Sequence, residues 1–107
     1  MRLALAFVLA PCVAAAEPLP GPAITAALSE RALTYEGGAR QVFYASGRTL
    51  YDAGAPSWGY WRVEGGFYCS QWPPADGWDC YSVSEIAGGL RFTDTRGNAV
   101  DGVYQAR

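Results

Sequence analysis

The sequence has no histidine and no lysine. Histidine is the commonest general base near neutral pH and the commonest metal ligand, so its absence removes the usual routes to nucleophilic catalysis and to a transition-metal site. A serine, threonine or cysteine nucleophile would have only a carboxylate to activate it. No Asp/Asn-rich loop has calcium-ligand spacing, and no glycine run follows a strand and opens a helix in the dinucleotide pattern. The sequence therefore predicts no catalytic residue, no metal ligand and no cofactor. Basic charge is also scarce: eight arginines stand scattered against ten acidic residues, for a net charge of −2. That balance leaves no footprint for nucleic acid or anionic lipid. No stretch approaches the roughly 20 apolar residues of a membrane-spanning helix.

What is present begins with an export signal. Residues 1–16 combine Arg2, an apolar run over 3–9 and the small-residue cleavage site Ala14-Ala15-Ala16, the three parts of a secretory signal peptide. The expected product is a periplasmic or secreted protein with a flexible leader over 17–22 and a single β domain over 23–107. Cys12 also lies near the spacing of a lipoprotein signal, although Pro11 before it fits that pattern poorly. Removal of residues 1–16 leaves Cys69 and Cys80, an even count that predicts a disulfide in an oxidising compartment. A domain this small buries only ~60–65% of its unfolded surface. Closing a loop of about a dozen residues adds roughly 2–3 kcal/mol in the chain-entropy picture.

Along the chain, the proline-rich leader gives way to a helical pattern over 23–33, with Ile24, Ala27, Leu28 and Arg31 on one stripe and Pro22 suited to the first turn. From Leu33 onward the period becomes two and the punctuation becomes glycine. Strands are expected over 33–36, 40–45, 48–51, 58–64, 67–72, 81–86, 90–94 and 99–105, separated by short turns such as Gly37-Gly38, Ser46-Gly47, Gly65-Gly66 and Gly88-Gly89. Seven or eight short antiparallel strands curl into a barrel or strongly twisted sheet more readily than they stay flat. The fold class is thus mainly β, with one short N-terminal helix that plugs a barrel end or covers an edge.

The stretch 58–81 organises this plan. It holds all four tryptophans and both remaining cysteines. A two-residue turn at Gly65-Gly66 pairs Val63 with Tyr68, Trp61 with Ser70 and Gly59 with Trp72, so Trp61, Val63, Tyr68 and Trp72 share the core face. Gly59 leaves room for the Trp72 indole to lie across bare backbone. The next turn, Pro73 to Asp76, sets Cys69 opposite Cys80 and Tyr68 opposite Tyr81, which makes the disulfide geometrically direct. Tyr60 and Arg62 fall on the other face. A possible binding surface follows, made of Tyr60, Arg62, Trp72, Asp76 and Trp78, where clustered aromatics beside arginine mark recognition sites. Asp76 and Asp79 flank the Pro-Pro loop near Trp72 and Trp78 in a way that superficially suggests a sugar site. Turn and strand-surface roles explain them better, as they do Asp94 and Asp101.

The run Gly-x-Trp-x-Val-x-x-Gly-x-Tyr-Cys over 59–69, followed by Trp78-x-Cys80-Tyr81 and GGLRFTDTRGNA over 88–99, resembles uncharacterised small secreted proteins of alphaproteobacterial type. That resemblance implies export and a small β fold, and it brings no activity. The chain is also distantly similar to periplasmic protease and lysozyme inhibitors, small disulfide-bearing β-barrels whose cysteine placement differs. The expectation is a non-enzymatic binding or accessory protein of the cell envelope with an unknown protein or glycan partner. One alternative is an inhibitor of an extracellular protease or lysozyme presenting the loop 72–78. The other is a carboxylate-based glycan hydrolase, which needs two carboxyl groups about 5–9.5 Å apart in one cleft.

Overall fold

The computed structural model describes residues 16–106, so the signal-like segment and Cys12 lie outside the described residues. The helix α1 (Gly21–Leu28) precedes eight strands: β1 (Arg31–Tyr35), β2 (Arg40–Phe43), β3 (Arg48–Asp52), β4 (Pro56–Glu64), β5 (Phe67–Gln71), β6 (Asp79–Ile86), β7 (Gly89–Thr93) and β8 (Ala99–Tyr104). Each strand pairs antiparallel with its sequence neighbour, and β8 returns to β1, closing an up-and-down barrel. Closure leaves no exposed strand edge, the feature that otherwise makes small β proteins pair with one another. The positive φ of Gly37, Gly47, Gly65 and Gly88 matches the tight turns read from the sequence.

Registers in the organising stretch are those that turn chemistry predicts. Val63 faces Tyr68, Trp61 faces Ser70, Tyr68 faces Tyr81, and Cys69 faces Cys80. The two cysteines are disulfide-bonded with their Cα atoms 4.0 Å apart.

The helix is shorter than its apolar stripe suggests. It stops at Leu28, Glu30 takes a positive φ of 60°, and Arg31 opens β1 with its guanidinium 3.9 Å from the centre of the Tyr104 ring. Tertiary hydrogen bonds explain the early stop: the Glu30 N–H donates to the Phe43 carbonyl, and the Glu30 carboxylate accepts from the Ala45 N–H. The last two residues of the expected leader, Gly21 and Pro22, already belong to α1, and the stretch before them is tied down, with the Leu19 N–H donating to the Val83 carbonyl at 2.7 Å and Pro20 at the helix N-cap.

Helix α1 closes one end of the barrel. Ile24 and Leu28 are fully buried and join Leu33, Phe43, Trp61, Val83 and Leu90 in one core. Tyr104 donates its hydroxyl to the Ala27 carbonyl, and Trp61 Nε1–H donates to the Tyr44 carbonyl. An eight-stranded barrel has an interior that either fills with side chains or holds one small ligand. Here the half nearest the helix is filled. The other half, bounded by the loops after β1, β3, β5 and β7, is open.

Candidate ligand cup

Alternation decides which side chains reach the open half. The inward side chains that reach it are Tyr35 on β1, Gln41 on β2, Tyr51 on β3, Ser57 on β4, Ser70 on β5, Tyr81 on β6, Phe92 on β7 and Val100 on β8, all but Val100 polar-tipped or aromatic. With Tyr68, Trp72 and Glu36 they line a cavity of about 540 Å³ that opens to solvent, within the range of small-molecule sites.

Six aromatic side chains form a continuous belt around this cup. Successive ring centroids are 6.1 Å apart from Trp72 to Tyr51, 6.3 Å to Tyr35, 6.4 Å to Phe92, 5.3 Å to Tyr68 and 6.0 Å to Tyr81. Trp72 is held in the belt by Gly59: a Cβ there would lie 2.5 Å from Trp72 Cε3 and 2.7 Å from the Gln71 carbonyl oxygen. The indole therefore lies on bare backbone, as the sequence suggests, and its Nε1–H donates to Ser70 Oγ at 3.2 Å.

The floor is a polar network centred on Gln41, which is only 5% exposed. Its Nε2 donates to Thr49 Oγ1 at 2.9 Å and to the Tyr68 hydroxyl at 3.2 Å, while its Oε1 accepts from the Tyr35 hydroxyl at 2.7 Å. Thr49 donates its own hydroxyl hydrogen bond to the Val42 carbonyl. Among the described residues no buried side-chain polar atom is left without a partner. A network satisfied in this way fixes the geometry of the rings it holds.

Burial pushes the Tyr68 phenol up to about 12 from its ordinary 10.0, against the smaller opposing pull of hydrogen bonds from Ser70 and Gln41. Tyr35 is raised as well, first by burial and then by the neighbouring Tyr68, Tyr51 and Tyr81 phenols. The folded state holds these protons more tightly than the unfolded chain does. The stability that Tyr68 contributes is therefore complete below pH 10 and is lost as pH rises from 10 through about 12, by roughly 1.4 kcal/mol per pH unit, and Tyr35 acts in the same direction. An ultraviolet titration of tyrosinate should show two tyrosines ionising only with unfolding. Ionisation of all seven in one step near pH 10, with the fold intact, would contradict the buried floor.

The residues that the sequence singled out do not form one surface. Tyr60, Arg62 and Trp78 lie on the outer wall, where Arg62 holds its guanidinium 4.0 Å from the Trp78 ring centre and pairs with Glu64 at 3.0 Å. Arg62 stands opposite Cys69, which is fully buried although it points outward by register. Tyr60 is 45% exposed and Trp58 46% exposed, with Arg48 4.4 Å from the Trp58 ring centre. Trp72 belongs to the cup instead. Asp76 is exposed on the β5–β6 loop, where its carbonyl accepts from Gln71 Nε2 at 2.6 Å. The cup is lined by a single carboxylate, Glu36; Asp79 is exposed, and Asp101 is engaged with Arg91 at 2.8 Å. Among the described residues no group of three or more Asp, Glu or Cys side chains could hold a metal ion. None of the described helices is long and apolar enough to cross a membrane.

Tyr35, Gln41, Tyr51, Ser57 and Ser70 were not distinguished by sequence. Their signal is positional: each is an inward residue of the open half, which becomes visible only once the barrel is closed and one end is known to be plugged. These features define a class, an eight-stranded up-and-down β-barrel with a helix-plugged end and an aromatic cup at the other. No protein-family model, no curated protein and no solved structure matches the chain.

Proposed function

We propose that this chain is an exported, non-enzymatic binding protein of the cell envelope that holds a small organic molecule in the cup of its barrel. The observation that carries the reading is the 540 Å³ cavity, walled by an aromatic belt and floored by a satisfied polar network. Preformed cavities that are mostly apolar, with a few fixed polar groups, are the usual form of a small-ligand site. The Cys69–Cys80 disulfide and the signal-like residues 1–16 support action outside the cytoplasm.

The test is a fluorescence titration with a panel of alkyl and aromatic probes: alcohols, carboxylates and quaternary ammonium ions. Trp72 sits in the wall and reports occupancy. At least one class is expected to bind saturably, and Ser57→Trp, at the exposed mouth, to weaken that binding at least tenfold with an unchanged circular-dichroism spectrum. Absence of saturable binding across the panel would reject the reading.

The exposed Trp58 and Tyr60 on the outer wall favour a second reading, the docking of a protein or glycan there. The same titration separates the two. If Trp58→Ser abolishes probe binding and Ser57→Trp does not, the site lies outside the barrel.

A further inference from the structure

We infer that the guest of the cup is an organic cation whose charge is wrapped in alkyl groups, a quaternary or tertiary ammonium. This inference rests on the cup being the ligand site and adds the chemical class of the ligand. Three independent features of the cup converge on it.

The wall comes first. The faces of aromatic rings carry the negative lobe of the ring quadrupole, and a cation near several of them is attracted without needing a hydrogen bond. The belt supplies six rings in one continuous series, and no arginine lines the cavity to oppose a positive guest. An anion would meet the rings, the Glu36 carboxylate and neutral hydroxyl and amide groups, with no positive charge among them.

The floor comes second. Its N–H donors are already engaged: both Gln41 Nε2 protons and the Trp72 indole N–H have partners within the protein, as do the Tyr35 and Thr49 hydroxyls, which leaves a guest only hydroxyls such as those of Tyr51, Ser57 and Tyr81 on the wall. A sugar or a carboxylate, which must replace its lost water with donors, would find the floor's donors taken and only the wall hydroxyls to turn to. A quaternary ammonium asks for none.

The rim comes third. The four loops at the open end and the strand ends beside them carry Glu36, Asp52, Asp76, Asp79 and Asp94 against two basic residues, Arg96 and Arg40. Arg96 lies beside Asp94, whose carboxylate accepts from the Asn98 and Arg96 backbone N–H groups and from the Asn98 side chain. Arg40, at the start of β2, is turned along the outer wall to Gln105 at 2.5 Å. A mouth of one sign focuses ions of the other toward a low-dielectric interior.

The experiment compares choline with dimethylbutanol, its uncharged carbon isostere, and with trimethylacetate, by calorimetry and Trp72 fluorescence at low and high salt. Benzyltrimethylammonium serves as a larger cation for the same cavity. The expected result is that a cation binds at least tenfold more tightly than the neutral isostere, that trimethylacetate does not bind, and that salt weakens the cation alone. Glu36→Gln should reduce cation affinity severalfold and leave the neutral isostere unchanged. Equal or tighter binding of the neutral or anionic probe would overturn the cation assignment while leaving the cup as a ligand site. Binding of no probe would overturn both.

Discussion

Replacing Phe43 by alanine is expected to lower the unfolding free energy by about 4 kcal/mol. Phe43 is the largest fully buried side chain among the described residues, and it sits where the helix plug meets the barrel. Its ring makes edge-to-face contacts with Trp61 at 5.8 Å and Tyr68 at 5.7 Å. Truncation removes the transfer energy of the ring and leaves a void that a closed barrel cannot collapse, because each strand is fixed by ladders on both sides. Against the roughly 5–15 kcal/mol total of a small domain, the loss is large. Denaturant unfolding should show a lower midpoint at unchanged slope. A loss below about 1.5 kcal/mol would mean that the barrel end is far more pliable than its packing implies.

Replacing Gly89 by alanine is expected to be nearly as damaging, by about 3 kcal/mol, for the opposite reason. Gly89 opens β7 opposite Val103, and the backbone of β8 passes directly over its α-carbon. A Cβ there would overlap the Gly102 carbonyl oxygen and stand 2.9 Å from the Gly102 carbonyl carbon and from Val103 Cα. These are backbone atoms held by the β7–β8 and β8–β1 ladders, so relief requires the strands to part. By contrast, Gly97→Ala meets nothing within 4 Å; its φ of +89° limits the effect to about 1 kcal/mol of backbone strain. The pair separates steric from conformational roles of glycine. Thermal unfolding of the two variants side by side would reverse that assignment if Gly97→Ala proved the more destabilised.

The disulfide, the two hairpin registers around it, the alternation of inward and outward residues and the count of strands were all legible in the chain. Each is set by local chemistry. Glycine pairs allow positive φ in tight turns, a four-residue Pro-Pro loop places Cys69 across from Cys80, and a period of two marks the buried face. Even the seating of Trp72 on Gly59 follows from register alone. The extent of the helix did not: Ala27, Leu28 and Arg31 fit one stripe, yet bonds from Glu30 to Phe43 and Ala45 end the helix before Arg31.

The tryptophans show the same division more sharply. Register put Trp72 on the core face, yet its place six residues from Trp78 also grouped the two with Asp76 as one candidate surface. Closure of the barrel sends Trp72 into the interior and Trp78 to the outer wall beneath Arg62. Likewise nothing in the sequence joins Tyr35, Tyr51, Tyr68, Tyr81 and Phe92, which come from four different hairpins. What turns some of them into core and others into a cup wall is the side on which the helix docks. By itself the sequence determined the strands, their registers and their clamp, because those depend on neighbours a few residues away. The tertiary structure alone decided that one end is plugged and the other hollow, because that depends on where a segment from the N-terminus comes to rest against residues as far as 77 positions later.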